Sequence, residues 1–266
     1  MPSNLLVVDV GNTNIVLGIY RGDALVNSWR LATARDRTSD EYGILAKQLV
    51  AESHITEFEG AIVSSVVPPL NAAMQWMIEK YFGVAPLFVE PGVKTGIAIH
   101  VDSPQEVGAD RIVNAVAAFA AYGGPVIIVD FGTATTFDVV TADAKYVGGV
   151  IAPGINISAE ALFARASRLP RVEIRRPPTV VGTNTVVNMQ SGLCFGYLGL
   201  VDGILTRIKQ EVPGVKRVIA TGGLATLFEH DSEHIDETDG ELTLKGLKLI
   251  WDRNRKPKPE TRNQKR

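Results

Sequence analysis

The chain has one cysteine, Cys194, among its 266 residues. A single cysteine excludes an internal disulfide and any metal site built from several cysteine ligands. A chain without disulfides is typical of a reducing compartment, so we expect the protein to be cytoplasmic. Hydrophobic residues make up 45% of the sequence and charged residues 21%. This balance excludes a disordered chain and predicts a globular protein.

The sequence also has little net charge, and that charge is unevenly distributed. The formal net charge is −2, and residues 253–266 contain seven Lys or Arg and one Glu, so this segment carries +6 and the remainder −8. An acidic body disfavours binding to nucleic acid, which needs clustered Lys and Arg. We expect residues 253–266 to form a basic, disordered tail.

Long hydrophobic runs and the common phosphate and zinc motifs are missing as well. The longest apolar stretch, Ile112–Val129, is interrupted by Asn114 and by Gly123-Gly124-Pro125, so it does not predict a membrane span. There is no P-loop, no G-x-G-x-x-G after a strand and no H-E-x-x-H. Any phosphate chemistry must therefore use a different kind of site.

An internal repeat organises the chain. Val8-Asp9-Val10-Gly11-Asn12 returns as Val129-Asp130-Phe131-Gly132-Thr133, 121 residues later. In both copies the motif joins the first two of three strand-like segments, after which helix and strand signals follow. The pattern predicts an α/β protein of two related domains, residues 1–121 and 122–252, facing each other across a cleft.

Each copy of the repeat has the residues expected of a phosphate-binding turn. Glycine lets backbone N–H groups approach phosphate oxygens, and Asn or Thr side chains add short neutral donors. A carboxylate beside phosphates is best used to hold a cation, since hard cations prefer oxygen ligands. A lone Asp-x-Gly is more often an Asx-turn. Two equivalent copies favour phosphate and cation binding at Asp9 and Asp130.

A second informative segment runs from Ser103 to Arg111. Ser103 and Glu106 have the spacing of a capping box, which predicts that a helix begins here. Helical periodicity places Asp110 and Arg111 opposite the apolar face, among small residues that indicate either close approach by another protein surface or a cleft wall. Asp110 is therefore a candidate general base, and Arg111 a candidate ligand for a carboxylate or phosphate. A surface ion pair between the two is equally compatible with the pattern.

A long helix is predicted over about residues 186–212, and one face of it carries a stripe of glycines. The stripe consists of Gly192, Gly196, Gly199 and Gly203. Each glycine costs about 1 kcal/mol relative to alanine in a helix interior. The stripe thus predicts close packing against another backbone, within the chain or across a dimer. Thr185 precedes the helix and is predicted to cap it, either as a simple N-cap or beside a bound anion.

Together these segments resemble the signature motifs of type III pantothenate kinases. The matching segments are Asp9–Asn14, Gly108–Arg111 and Asp130–Thr136, with Gly148-Gly149, Pro153-Gly154, Asn184-Thr185, Gln190–Gly192 and Thr221–Gly223. The resemblance covers about residues 4–252. It implies two ribonuclease H-like domains, which are duplicated mixed sheets with helices, facing a nucleotide cleft as in the actin-like ATPase superfamily.

The resemblance also implies an activity, namely ATP-dependent phosphorylation of the primary hydroxyl of pantothenate, the first step of coenzyme A biosynthesis. Asp110 is the implied catalytic base, and Asp130 the implied ligand of a monovalent cation, K⁺ or NH₄⁺, needed besides Mg²⁺. The implied ATP-binding residues are Asp9, Val10, Gly11, Asn12, Thr13, Asn14, Ile15, Val16 and Thr133. The implied pantothenate-binding residues are Val101, Gly108, Ala109, Asp110, Arg111 and Thr185. Thr185 is implied to reach the substrate across a homodimer interface.

The sequence departs from the family pattern at two positions. Val101 stands where a tyrosine is usual and Ser103 where an asparagine is usual, which bears on how pantothenate is held. Two other functions stay open, a binding regulator without turnover and a kinase or phosphatase of the same superfamily for another substrate. Retention of Asp110 and of both Asp-x-Gly turns favours the pantothenate kinase.

Overall fold

Both halves of the chain begin with three antiparallel strands, in a computed structural model that describes residues 4–255. In the first half these strands are β1 (Asn4–Val10), β2 (Asn14–Arg21) and β3 (Ala24–Ala32), and parallel strands β4 (Gly60–Ser65) and β5 (Pro86–Phe88) follow. In the second half they are β7 (Val126–Phe131), β8 (Ala134–Val140) and β9 (Lys145–Pro153), followed by parallel β10 (Arg217–Thr221) and β11 (Glu237–Thr238).

The two sheets share one strand order. The first is β3-β2-β1-β4-β5, and the second contains the matching β9-β8-β7-β10-β11. A short additional strand, β6 (Ala98–Ile99), pairs in parallel with β9 at the edge of the second sheet. The duplicated mixed sheets predicted from the repeat are therefore confirmed.

Seven α-helices surround and separate the sheets in the described part of the chain. They are α1 (Ser39–Ala51), α2 (Asn71–Phe82), α3 (Ala109–Tyr122), α4 (Ile155–Arg165), α5 (Thr185–Glu211), α6 (Ala225–Phe228) and α7 (Leu242–Asn254). The start of α1 is fixed by the capping box of Thr38 and Glu41, in which each residue accepts the backbone N–H of the other. Within residues 4–255, no helix is both long and apolar enough to cross a membrane.

Strands β1 and β7 are almost continuously apolar because both of their faces are covered. In β1, Leu6 and Val8 pack with α1 and α2, while Leu5 and Val7 face a layer formed by α3 and α7. Strand β7 alternates in the same way between α5 and the α3/α7 layer. The layers therefore run α1/α2, first sheet, α3/α7, second sheet and α5.

The central layer joins the two halves of the chain. Helix α7 comes from the end of the chain yet packs on α3 and on strands of the first sheet. A division of the chain at residues 121 and 122 stays a prediction. Helix α7 includes Arg253 and Asn254, the first two residues of the predicted basic tail. Residues 256–266 of that tail lie outside the described residues.

The predicted helix start at Ser103 is wrong. Pro104–Glu106 form one isolated 3-10 turn, the Ser103 side chain makes no capping hydrogen bond, and α3 begins only at Ala109. Val107 has extended backbone dihedrals, which separate the turn from the helix. The structure thus delays the helix by one turn, so that Asp110 lies in its first turn rather than in its interior.

Two expectations for α5 also change. Its N-cap is Asn184, whose side-chain oxygen accepts the Val187 N–H at 3.0 Å, whereas Thr185 is the first helical residue and is exposed. A Cβ added at Gly192, Gly196 or Gly199 would meet nothing within 4 Å in the described chain. The glycine stripe is therefore not packed against another backbone of the same chain.

Candidate active site between the two repeat turns

The turns of the two repeats face each other. The first turn joins β1 to β2 and is closed by the Gly11 N–H, which donates to the Asn14 carbonyl at 2.9 Å. The second turn joins β7 to β8, where the Gly132 N–H donates to the Ala134 carbonyl at 3.1 Å. The Thr13 and Thr133 hydroxyl oxygens, one from each turn, are 2.8 Å apart and share a hydrogen bond. The tertiary structure thus brings together two segments that the sequence separates.

Two glycines allow neighbouring loops to approach these turns. A Cβ at Gly154 would lie 2.1 Å from the Thr133 carbonyl oxygen, and a Cβ at Gly222 would lie 2.6 Å from Asp130 Oδ1. Gly222 also has a φ of +91°, which side chains of L-residues rarely adopt. Glycine at these positions lets backbone form the walls around the second turn.

Three carboxylates line the cleft between the turns. Asp9 lies in β1, Asp130 at the equivalent place in β7, and Asp110 in the first turn of α3. Burial and then the nearby charge of Asp110 raise the pKa of Asp9 and that of Asp130 from 3.8 to about 7. Burial likewise raises the pKa of Asp110. Such clustered, desolvated acids require a cation or a proton.

Asp130 is held by a buried chain of hydrogen bonds that crosses the central layer. The Asn114 side-chain amide donates to Asp130 Oδ2 at 3.0 Å, and the Thr243 hydroxyl donates to the Asn114 amide oxygen at 2.7 Å. Asn114 is only 1% exposed. Because Thr243 occupies the amide oxygen, the NH₂ group of Asn114 must face the carboxylate. The sequence placed Asn114 near Asp110 but gave no sign of its partner.

Arg111 does not form the ion pair with Asp110 that the sequence left open. Its guanidinium pairs with Asp138 of β8, with Nε at 2.8 Å and Nη2 at 2.6 Å from Asp138 Oδ1. Asp110 instead accepts the backbone N–H of Arg111 at 2.8 Å. Sequence reasoning missed Asp138, since a single acid within an apolar strand carries no signal without the fold.

The cleft has a volume of about 660 Å³ and is strongly acidic. Among residues 4–255, the ionisable residues that line it are Asp9, Asp110, Asp130, Glu160 and one cation, Arg30. Arg30 was also missed, although the predicted hairpin contains the signal. In the sheet Asp9 pairs with Val16 and Val16 with Arg30, so the three residues form one row across β1, β2 and β3.

The structure brings most, but not all, of the predicted site residues together. The predicted residues that line the cleft are Asp9, Gly11, Asn12, Thr13, Asn14, Val16, Asp110, Asp130 and Thr133. Val10 and Ile15 are buried in the strands on either side of the first turn, and Gly108, Ala109 and Arg111 adjoin Asp110. Val101 packs at the edge of the central core, while Thr185 is exposed at the start of α5. Neither belongs to this cleft within one described chain.

The raised pKa values predict how stability depends on pH. The folded chain binds protons at Asp9 and Asp130 more tightly than the unfolded chain does. The free energy of unfolding should therefore fall as pH rises from about 4 to about 7. Asp130→Asn removes one of these buried charges, so in buffer without ATP or metal it should raise the melting temperature at pH 8. The gain should shrink toward pH 4, as followed by circular dichroism.

Asp143→Asn is the matched control. Asp143 is exposed, and hydrogen bonds from Lys145 and Thr141 lower its pKa to about 2. Its replacement should not raise the melting temperature at either pH. A melting temperature for Asp130→Asn at or below the wild-type value at pH 8 would contradict the buried charge.

Comparison with known proteins agrees with this geometry. Residues 5–207 match the family profile of type III pantothenate kinases. A type III pantothenate kinase of Koribacter versatilis is 56% identical over 262 residues, covering 94% of this chain and 96% of that protein. One from an Exiguobacterium species is 57% identical over 254 residues, covering 95% of this chain and 100% of that protein.

A solved structure shows the same fold at much lower sequence identity. It is described as a conserved Baf family transcriptional activator from Campylobacter jejuni, with a TM-score of 0.58 at 20% identity, and the match covers 94% of this chain and 98% of that one. At this identity the likeness concerns the fold alone. The sequence matches extend over nearly the whole chain, and by them this chain belongs to the type III pantothenate kinase family.

Proposed function

We propose that this protein transfers the γ-phosphate of ATP to the primary hydroxyl of pantothenate, giving 4'-phosphopantothenate in the first step of coenzyme A biosynthesis. The observation that carries the proposal is the meeting of both repeat turns with Asp110 in one cleft, in a chain of this family. Phosphoryl transfer needs positioning and charge neutralisation more than covalent chemistry. A cytoplasmic location, which the lone buried Cys194 suits, is part of the proposal.

The triphosphate of ATP is proposed to bind between the two turns, on residues 9–16 and Thr133. The backbone N–H groups of the turns and the hydroxyls of Thr13 and Thr133 are suitable donors to phosphate oxygens. Their mutual hydrogen bond can be exchanged for bonds to ATP because hydroxyls rotate freely. Arg30 supplies a positive charge on the wall of the cleft, where the other ionisable residues of the described chain are acids. This charge would act in place of the lysine of a P-loop, a motif that the sequence lacks.

A monovalent cation, K⁺ or NH₄⁺, is proposed to bind at Asp130, with Mg²⁺ accompanying ATP. The residues fit a cation. Asn114 holds Oδ2 of the buried carboxylate, while Oδ1 accepts no hydrogen bond from the described residues. Within residues 4–255 no three His, Cys, Asp or Glu side chains are grouped to hold a metal. Backbone, water or phosphate oxygens would thus complete the site, as suits a hard cation. A cation here would neutralise charge on the transferring phosphate.

Asp110 is proposed to be the general base. Burial raises the pKa of the Asp110 carboxyl, and a more basic carboxylate accepts a proton more readily. The carboxylate accepts the proton of the pantothenate hydroxyl as that oxygen bonds to the γ-phosphorus. The bond from phosphorus to the bridging oxygen of ADP then breaks. Gly108 leaves room for this group, because a Cβ there would lie 2.5 Å from Asp110 Oδ1.

Pantothenate is proposed to bind beside Asp110, with Gly108, Ala109, Arg111 and Val101 on one chain and Thr185 from a second copy. Two features of the surface support a homodimer. The glycine stripe of α5 has an open face, and several large apolar side chains of residues 151–186 are exposed. These are Ile151, Ile157, Leu162, Val180, Val181 and Val186. Exposed apolar side chains mark protein–protein contacts where they form a contiguous patch.

The central test is ATP-dependent phosphorylation of pantothenate by the purified protein with Mg²⁺, comparing K⁺, NH₄⁺ and Na⁺. We expect turnover that requires K⁺ or NH₄⁺, and Asp130→Asn should lose that response. Asp143→Asn, an exposed acid outside the cleft, should keep it. Intact ATP binding without turnover in any of these salts would instead favour a regulator or another substrate. Equal turnover in all three salts would contradict the proposed cation site at Asp130, but not the kinase activity.

Asp110→Asn separates catalysis from binding. It should lower kcat by about 10²- to 10⁴-fold because the base is lost, while ATP binding measured by calorimetry stays close to wild type.

Arg30→Gln should show the opposite pattern, a raised KM for ATP with most of kcat kept. Arg21→Gln, at the far end of β2, is the matched control and should change neither constant. Near-normal turnover in Asp110→Asn would remove the base from the mechanism.

The dimer can be tested through the open glycine stripe. Gly196→Leu has space in the single chain, so the fold should survive while a second copy is displaced. We expect sedimentation to shift from dimer to monomer and KM for pantothenate to rise about tenfold or more, since a lost contact worth 1.4 kcal/mol is tenfold. Ala72→Leu on the exposed side of α2 is the control. A wild-type protein that sediments as a monomer would refute the interface.

A further inference from the structure

Asp138 is the most deeply buried acid near the cleft, and its carboxylate is fully occupied. It lies in β8 with 0% of its surface exposed. Oδ1 accepts Nε and Nη2 of Arg111 at 2.8 and 2.6 Å and the Tyr146 hydroxyl at 2.7 Å. Oδ2 accepts the Thr136 hydroxyl at 3.1 Å. No other acid in the described chain is held by as many side chains.

Stability is a poor explanation for this arrangement. Burying an ion pair costs desolvation energy that the attraction only partly repays, and an apolar pair of similar volume is often as stable. The first repeat illustrates the alternative. Ile128 of β7 pairs with Asp138 of β8, and in the first sheet the equivalent residue Val7 of β1 pairs with Gly18 of β2. Gly18 is therefore the counterpart of Asp138 in the first repeat, and it carries no charge. The charge at Asp138 therefore calls for an explanation in the site.

The geometry of Arg111 supplies that explanation. Its guanidinium lies against the Tyr146 ring, 5.9 Å from the ring centre, and presents Nε and Nη2 to Asp138. Nη1 makes no hydrogen bond with the described residues, so it is free to donate to a ligand, and 16% of the Arg111 side chain is exposed. Arg111 also directly follows Asp110 on α3, and the two charges attract each other. A guanidinium released from Asp138 would be drawn onto the base.

We propose that Asp138 is a positioning residue, which fixes Arg111 so that its free edge meets an acceptor oxygen of pantothenate and stays off Asp110. This inference rests on the proposed function, because it assumes that Arg111 binds the substrate. A planar fork held along one edge keeps the opposite donors aligned, and this is what a substrate acceptor requires. Tyr146 and Thr136 fix the carboxylate in turn.

The test is Asp138→Asn, which keeps the shape of the side chain and removes its charge. Hydrogen bonds to charged groups are among the stronger ones, so KM for pantothenate should rise by about 10- to 100-fold. KM for ATP should stay within about twofold, because the turns are untouched. Tyr146→Phe is the matched control. It removes one hydrogen bond to the same oxygen but leaves the ion pair, so KM for pantothenate should change much less.

A double-mutant cycle with Arg111→Gln distinguishes positioning from a structural role. If Asp138 acts through Arg111, adding Asp138→Asn to Arg111→Gln should change KM for pantothenate by less than about twofold. Independent losses in the two variants, combining multiplicatively in the double variant, would overturn the inference. An unchanged KM for pantothenate in Asp138→Asn would overturn it too.

Two further readouts keep the outcome interpretable. If Asp138→Asn does not fold, Arg111→Lys tests the same ion pair at its other residue. Lysine keeps the positive charge but cannot reproduce the two N–H contacts that Nε and Nη2 make with Asp138. KM for pantothenate should then rise as in Arg111→Gln, and a wild-type value would refute the positioning. If Arg111→Gln itself leaves KM unchanged, the substrate role in the proposed function fails, which is a different result from a failure at Asp138 alone.

Discussion

Burial of α3 between the two sheets is the constraint on which the site depends. The helix belongs to the first half of the chain, yet its polar side chains find their partners in the second, where Arg111 meets Asp138 and Asn114 meets Asp130. Because Asn114 is buried and only 16% of the Arg111 side chain is exposed, these polar groups must be satisfied inside the protein. The same contacts that satisfy them also set the position of Asp110 against the turns. Packing and the proposed catalysis thus share one helix.

The electrostatics of the cleft follow from the same packing. The ends of β1 and β7 lie at the central layer, so Asp9 and Asp130 converge near Asp110. Among the described residues that line the cleft, Arg30 alone carries a balancing positive charge. Concentrating acids in this way destabilises the empty protein and creates a demand for positive charge. In the proposed function, bound cations meet that demand at the place where the phosphates of ATP would lie. The instability and the proposed function have one cause.

The two repeats are alike in backbone and unlike in chemistry. Three residues separate β1 from β2, whereas two separate β7 from β8, so Thr133 is the structural counterpart of Thr13. The two hydroxyls meet at the point where the halves face each other. Away from that point the copies diverge, and the second alone carries the buried acid Asp138. Duplication supplies the frame for the two turns that are proposed to bind phosphate, and divergence supplies the polar groups around the proposed substrate site.

The sequence by itself determined the duplicated α/β architecture. The alternation of apolar residues and the recurring Asp-x-Gly turn are local signals, which can be read without knowing the tertiary contacts. It also predicted the two turns, the candidate role of Asp110 as a base and the long helix. Each of these signals comes from residues that are adjacent along the chain. It misplaced the start of α3 and the cap of α5, since Ser103 and Thr185 had suitable neighbours but unsuitable backbone dihedrals or register. Only the tertiary structure decided the partners of Arg111, Asn114 and Asp130. Those contacts join residues far apart in the chain, and nothing local to either residue specifies the other.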